Sequence, residues 1–504
     1  MHGLTWLKLA ACTSLVGILV LTGPVWAGDQ PQWGQRETRN MVSEEKNLPD
    51  TFDPATGKNI KWSIELGTQS YATPIVANGR VFIGTNNDNP RDTRHQGDRN
   101  VLLCLNETDG KLLWQLVVPK LGPDIYLDWT GSGIVSPPTV EGDRVYVFTN
   151  RDQVVCLDIN GMANGNDGPF VDEGKYMMPR DATRPVDVGK LDADILWVCD
   201  LIKEVGVYPH DGGHGSPLIK GDLLYVNTCN GVDNTHRRIR SPEAPSLVAI
   251  DKRTGRIVAK DDERIGHQIV HNTWSSPALG TVNGKELVFF CGGNGVVFGF
   301  EALKGVPAEV LTFNRVWRFD CDPQERPADH RYMGNRRESP SNIKSMPVFH
   351  DGKLYVTAGG DVWWGKRKAW LKCIDPTMTG EVTGKAEVWS YEMAAQCCST
   401  SAIADGLIYV ADTGRTIHCV DAKTGKAYWT HQARGDFWSS ALVADGKVYI
   451  GDRRGQFTIL AAGKEKRVLS QIELGEEISG TATAANGVLY VATMKHLYAV
   501  QAGK

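Results

Sequence analysis

The sequence predicts an all-β protein, an eight-bladed β-propeller of four-stranded antiparallel blades, and three observations carry that prediction. A short module recurs along the chain: a small-residue start, a strand, an Asx-Gly turn, two more strands, and a second turn that leads into tryptophan. A stretch with the character of a fourth strand, Ile60 to Ile64, precedes the first complete module with no strands of its own ahead of it. The last module stops one strand short, so pairing the two ends closes a ring and leaves no free sheet edge.

The clearest copy runs from Ser399 to Trp429. Ala404-Asp405-Gly406 is a turn signal, and Leu407-Ile408-Tyr409-Val410 after it is branched and aromatic as a strand should be. A second turn at Asp412-Thr413-Gly414-Arg415 leads to Thr416-Ile417-His418-Cys419-Val420. In Asp421-Ala422-Lys423-Thr424-Gly425-Lys426 the carboxylate can accept a backbone N–H two residues on, and the glycine supplies the positive φ of a tight reversal before Ala427-Tyr428-Trp429. One sheet of this size cannot bury both faces, so copies must stack.

Taken in order, the first copy starts at Ala72-Thr73-Pro74 and ends at Trp114. The second, from Ser136-Pro137-Pro138, is interrupted by a Gly/Asp/Pro-rich insertion before Trp197 that should be a surface loop. The third runs from Gly215-Ser216-Pro217 and has Ala259 where the tryptophan belongs, which predicts weaker outer packing. The fourth reaches Trp317 and the fifth Trp389, both with insertions. The seventh, from Ser439-Ser440-Ala441, keeps its strands but lacks the tryptophan, and the eighth ends with Leu497-Tyr498-Ala499-Val500, whose missing partner is the orphan strand carrying Trp62.

With 504 residues, 41% of them hydrophobic, the chain is long enough for one repeat-built body. A formal charge of −4 is too slight to suggest a nucleic-acid partner. Leu9 to Leu21 is a short apolar run after Lys8, and Val25-Trp26-Ala27 is a small-x-small cleavage site, so residues 1–27 read as a secretory signal peptide rather than a stable membrane span. The expected location is periplasmic or secreted. Residues 28–58 are polar and aperiodic, a strap on the main body, and 59–504 form the propeller with loop insertions near 159–194, 230–245 and 321–344. Ten of eleven cysteines remain after cleavage, with neither a haem-attachment motif nor zinc-type spacing, and no metal ligand is assigned from the sequence. Cys104, Cys156, Cys373 and Cys419 share one place in their third strands, which marks them as core residues.

The stretch Asp421 to Trp429 resembles the tryptophan-docking motif of the quinoprotein-type, or PQQ-like, propellers, and the resemblance covers nearly all of the mature chain. It is specific for fold and not for function, since that family contains pyrroloquinoline-quinone (PQQ) dependent alcohol dehydrogenases and the outer-membrane assembly factor alike. It implies that Trp62, Trp114, Trp197, Trp317, Trp389 and Trp429 dock between blades. It also implies a role for Cys397-Cys398, because the alcohol dehydrogenases carry a vicinal disulfide against the quinone just before a Gly-Leu-x-Tyr strand such as Gly406 to Tyr409. Two adjacent cysteines that are reduced or separately paired are the plainer alternative. The family's calcium ligand set cannot be placed on this chain; Asp361, before Trp363-Trp364, is the nearest candidate base, against its plainer reading as a loop carboxylate in solvent.

Residues just before each innermost strand of a propeller point toward the central funnel. Here they include Asp211, His214, His271, Trp274, Arg336, Arg337, Cys397, Cys398, Asp436 and Trp438. His271 beside Trp274 suits an aromatic or quinone ligand, and Arg336-Arg337 would match carboxylates. His214, within Gly212-Gly213-His214-Gly215, has the alternative of a solvated turn. Two functions from different classes follow: a non-catalytic extracytoplasmic scaffold that binds a protein or small ligand on one face, which is preferred, or a PQQ-dependent dehydrogenase that passes electrons to a separate acceptor.

Overall fold

The computed structural model describes residues 28–323, 340–363 and 366–504. Among them, eight antiparallel sheets follow one another around a ring, each with four core strands. Ile60–Glu65 pairs antiparallel with His496–Val500, with Trp62 opposite Ala499 and Ser63 opposite Tyr498, so the two ends share the eighth blade as the orphan strand requires. No helix of the described residues is long and apolar enough to cross a membrane.

The fourth-strand tryptophans explain the inter-blade packing. Each sits across its sheet from a small residue: Cys104, Cys156, Gly299, Cys373, Cys419 and Ala499 face Trp114, Trp197, Trp317, Trp389, Trp429 and Trp62. A bulge follows each pair, where the ladder shifts register. The indole therefore leans out toward the neighbouring blade. Trp114 Nε1 donates to Ile159 O at 2.9 Å and Trp429 Nε1 to Gly463 O at 2.9 Å, both carbonyls in the next blade. Gly161, at φ +56, lies flat under Trp114; a Cβ there would come within 2.7 Å of the indole.

The two blades without a tryptophan are filled by other means. In the third blade Ala259 is buried, and the added strand Leu311–Thr312 brings Phe313 against Tyr225, ring centroids 5.9 Å apart. That is close to the 6.0 Å between Tyr409 and Trp429 in the reference blade, so Phe313 sets a ring beside the tyrosine where the tryptophan is missing. In the seventh blade the strap supplies Phe52, 5.7 Å from Phe457, and Pro49, whose carbonyl accepts from Tyr449.

The same strap seals one end of the channel. Between Gln30 and Ser43 it hydrogen-bonds to Val76, Val140, Ser216, Leu279, Phe349, Ile403, Val443 and Ala484, at or beside the innermost strand of every blade. At its centre Arg39, wholly buried, donates to the carbonyls of Trp33, Ser216 and Pro277. Burial lowers its pKa to about 9, which still leaves it a cation at neutral pH. The face sealed by the strap is called the lower face. Loops that feed the innermost strands lie on the opposite, upper face.

Candidate functional site

On the upper face, the approach to the third blade, its insertion and the approach to the fourth blade meet. Isolated bridges Pro209↔Asn230 and Gly231↔Asn272 hold the three segments together. Gly231 passes between two histidines, where a Cβ would lie 2.7 Å from His210 Cβ and 2.8 Å from the His271 carbonyl. The insertion then turns at Asp233, whose Oδ1 accepts from Thr235 N at 3.1 Å and Thr235 Oγ1 at 2.6 Å, and so carries His236 over the other two.

His210, His236 and His271 converge there, with one ring nitrogen from each lying within 4.8 Å of the others. His210 Nε2 is 3.1 Å from His236 Nε2. His210 Nδ1 lies 2.8 Å from Val232 O, an acceptor, so the proton sits on Nδ1 and the Nε2 lone pair faces the cluster. His271 is oriented in the same way by Asp361, whose Oδ2 lies 3.1 Å from Nδ1. Asp211 completes the group, its Oδ1 3.8 Å from His210 Nε2 and its Oδ2 3.6 Å from His271 Nε2.

The electrostatics follow from burial. Burial lowers all three imidazoles, His210 to about 2 with further repulsion from His271 and His236, so each is neutral at pH 7 and able to offer a lone pair. Burial and the nearby Asp361 charge push Asp211 up to about 7. Asp361 goes the other way: burial alone would raise it, but the Lys344 ammonium and His271 hold it well below the usual carboxylate range. Its Oδ2 accepts from Lys344 Nζ at 2.6 Å and Asn342 Nδ2 at 2.9 Å, and its Oδ1 accepts the Trp363 N–H at 2.9 Å. Asp361 is fully buried, which corrects its reading as a loop carboxylate in solvent.

An aromatic arc borders the cluster. Trp274 and Trp363 lie 5.7 Å apart, each 4.9 Å from the His271 ring, and Trp363 continues to Trp438 at 5.8 Å and Trp438 to Tyr71 at 6.2 Å. Trp363 is 46% exposed. Lys344 stands 4.6 Å from the centre of Trp274, and Arg453 stands 3.9 Å from that of Trp438. Both cations are matched, Lys344 by Asp361 and Arg453 by Glu477 at 2.6 Å. Among the described residues, the recess offers ring surface with its cations each paired to a carboxylate.

The structure brings Asp211, His271, Trp274, Asp361 and Trp438 to this one recess. His214 lies beside it, its ring 6.0 Å from Trp274 and its Nε2 3.0 Å from the Asp211 carbonyl. Asp436 pairs with Arg453 at 3.3 Å. Cys397 and Cys398 are separate free thiols, with burial pushing Cys398 up to about 11. Arg336, Arg337 and residues 1–27 lie outside the described residues. His210 and His236 were not singled out by sequence; the visible signal was only that His210 adjoins Asp211 and that the insertion near 230–245 holds a histidine.

Fold and site together define a propeller whose lower end is spanned by the strap and whose described hub residues gather on the upper face, and the comparisons give its family. The family model described as outer membrane protein assembly factor BamB matches residues 37–123, 97–164 and 367–502, more than half of the chain. The chain belongs to this family of PQQ-like propellers. Among solved structures, BamB from Moraxella catarrhalis is 13% identical, with 87% of this chain and 98% of that chain covered and a TM-score of 0.50, which shows a shared fold. The computationally designed Ika8 protein is 10% identical over 88% of this chain and 99% of that one, at a TM-score of 0.49. A europium-containing methanol dehydrogenase is 14% identical over 92% of this chain and 89% of that one, at 0.44. No curated protein matches by sequence.

Calcium with PQQ, which the resemblance to the dehydrogenases implies, does not fit these residues. Calcium takes six to eight oxygen ligands. Here Asp361 already receives four donors, one of them a lysine cation, and the groups that converge beside it are imidazoles.

Proposed function

We propose that the protein is an extracytoplasmic binding propeller of non-catalytic type, which grips an aromatic group of a protein partner or small ligand in the upper-face recess. The observation that carries this reading is the open arc Trp274, Trp363, Trp438, whose flanking cations are each paired with a carboxylate. Stacking surface suits a flat, uncharged group, and binding through it tolerates salt. The family description, an outer membrane assembly factor, supports both the extracytoplasmic location and a protein partner. The reading of residues 1–27 as a signal peptide agrees with it.

Calorimetric titration with an uncharged naphthoquinone tests this. Saturable binding is expected that changes little between low and high salt and weakens about tenfold in Trp363→Ala. An absence of binding, or an unchanged affinity in that variant, would overturn the reading. In parallel, PQQ with calcium should give no dye-linked alcohol oxidation; turnover there would favour the dehydrogenase instead.

A further inference from the structure

We propose that His210, His236, His271 and Asp211 form a binding site for one divalent first-row transition ion, zinc or copper(II) in class. This goes beyond the aromatic recess, since it concerns a different set of atoms on the same face.

The donor atoms are nearly at coordination spacing. Zinc–imidazole bonds of 2.0–2.1 Å put two nitrogens of a tetrahedron about 3.3 Å apart. His210 Nε2 and His236 Nε2 are 3.1 Å apart, and the Asp211 carboxylate stands 3.6 and 3.8 Å from His271 Nε2 and His210 Nε2. The three histidine nitrogens all fit within 4.8 Å, so a closure of at most about 1.5 Å at the widest gap would bring four ligands onto one centre. Three imidazoles and one carboxylate select a borderline ion over calcium or magnesium.

The surroundings have the form of a second coordination shell. His210 gives its Nδ1 proton to a backbone carbonyl, and His271 gives its own to Asp361, which Lys344, Asn342 and the Trp363 amide hold in turn. Both rings are thereby fixed with Nε2 inward. Tyr126 stacks on His210 at 5.6 Å and meets His236 edge-on at 4.9 Å, while Trp274 and Trp363 wall off His271. Asp211, His236 and His271 adopt φ values of 62°, 57° and 84°. Left-handed backbone costs on the order of 1 kcal/mol or more per residue and collects where a structure fixes side chains for a task. His236 is half-buried, more exposed than His210 and His271.

A second group, Asp92, His95 and Asp192, lacks this character, because Arg94 already fills it with contacts to both aspartates. The closest contact between two of the rings is the hydrogen bond between His236 and His210.

Untagged full-length protein, stripped with chelator, is titrated with cobalt(II) and then with zinc, and bound metal is counted by plasma mass spectrometry. One ion per chain is expected, with the intense visible bands of a four-coordinate cobalt centre that zinc displaces. His236→Ala, on the loop hairpin, should weaken binding by about 100-fold with an unchanged far-UV circular dichroism spectrum, and Asp361→Asn by about tenfold through loss of ring orientation. Failure of the wild type to take up cobalt, or uptake that survives His236→Ala, would overturn the site. Naphthoquinone binding by the stripped protein is read separately, so failure of either proposal leaves the other measurable.

Discussion

Replacing Trp114 with alanine is expected to destabilise the protein by about 3–5 kcal/mol, the range for removing a buried aromatic side chain. The indole has no exposed surface and packs within a cluster with Phe82, Leu116 and Val145. It also spans two blades, through its N–H to Ile159 O and its face on Gly161, so the cavity opens at a joint rather than inside one sheet. The orphaned carbonyl of Ile159 adds to the loss. Trp129, 42% exposed, is the control, and its replacement should cost under about 1 kcal/mol. Urea unfolding checks both: the Trp114→Ala midpoint should fall, the Trp129→Ala midpoint should hardly move, and equal shifts would refute the wedge.

Arg39→Ala is expected to cost about 2–5 kcal/mol and to release the strap. The guanidinium feeds three carbonyls and the Ser216 hydroxyl inside the sealed end of the channel. Each acceptor left dry costs about 1–3 kcal/mol, and relief from burying a cation without a carboxylate partner offsets part of that. Arg39→Lys should recover little, since an ammonium cannot reproduce the fork. Limited proteolysis is the sensitive readout, because the strap touches every blade and its release would expose residues 30–45 first. Protection of that segment equal to wild type would contradict its role as a plug.

The ring was legible because its signals are local and repeated. Asp421 to Trp429 specifies a turn, a small residue opposite an indole and the next strand, and Ile60 to Ile64 announced its partner by lacking one. What substitutes for a missing tryptophan was not legible, since Phe313 and Phe52 arrive from segments outside the module that no periodicity ties to Tyr225 or Phe457. The hub was half-legible. Position before an innermost strand nominated Asp211, His271 and Trp274, but His236 reaches them only because an insertion folds back past Gly231. Asp361 was misread for the same reason: nothing in its neighbours along the chain says that Lys344, Asn342 and His271 will enclose it.

The most direct measurement is an anomalous difference map from crystals soaked in zinc, collected on both sides of the zinc absorption edge. A single peak is expected about 2.0–2.2 Å from the Nε2 atoms of His210, His236 and His271, with Asp211 turned in to meet it. Density that leaves His236 hydrogen-bonded to His210, with no peak between them, would contradict the hub as a metal-holding centre.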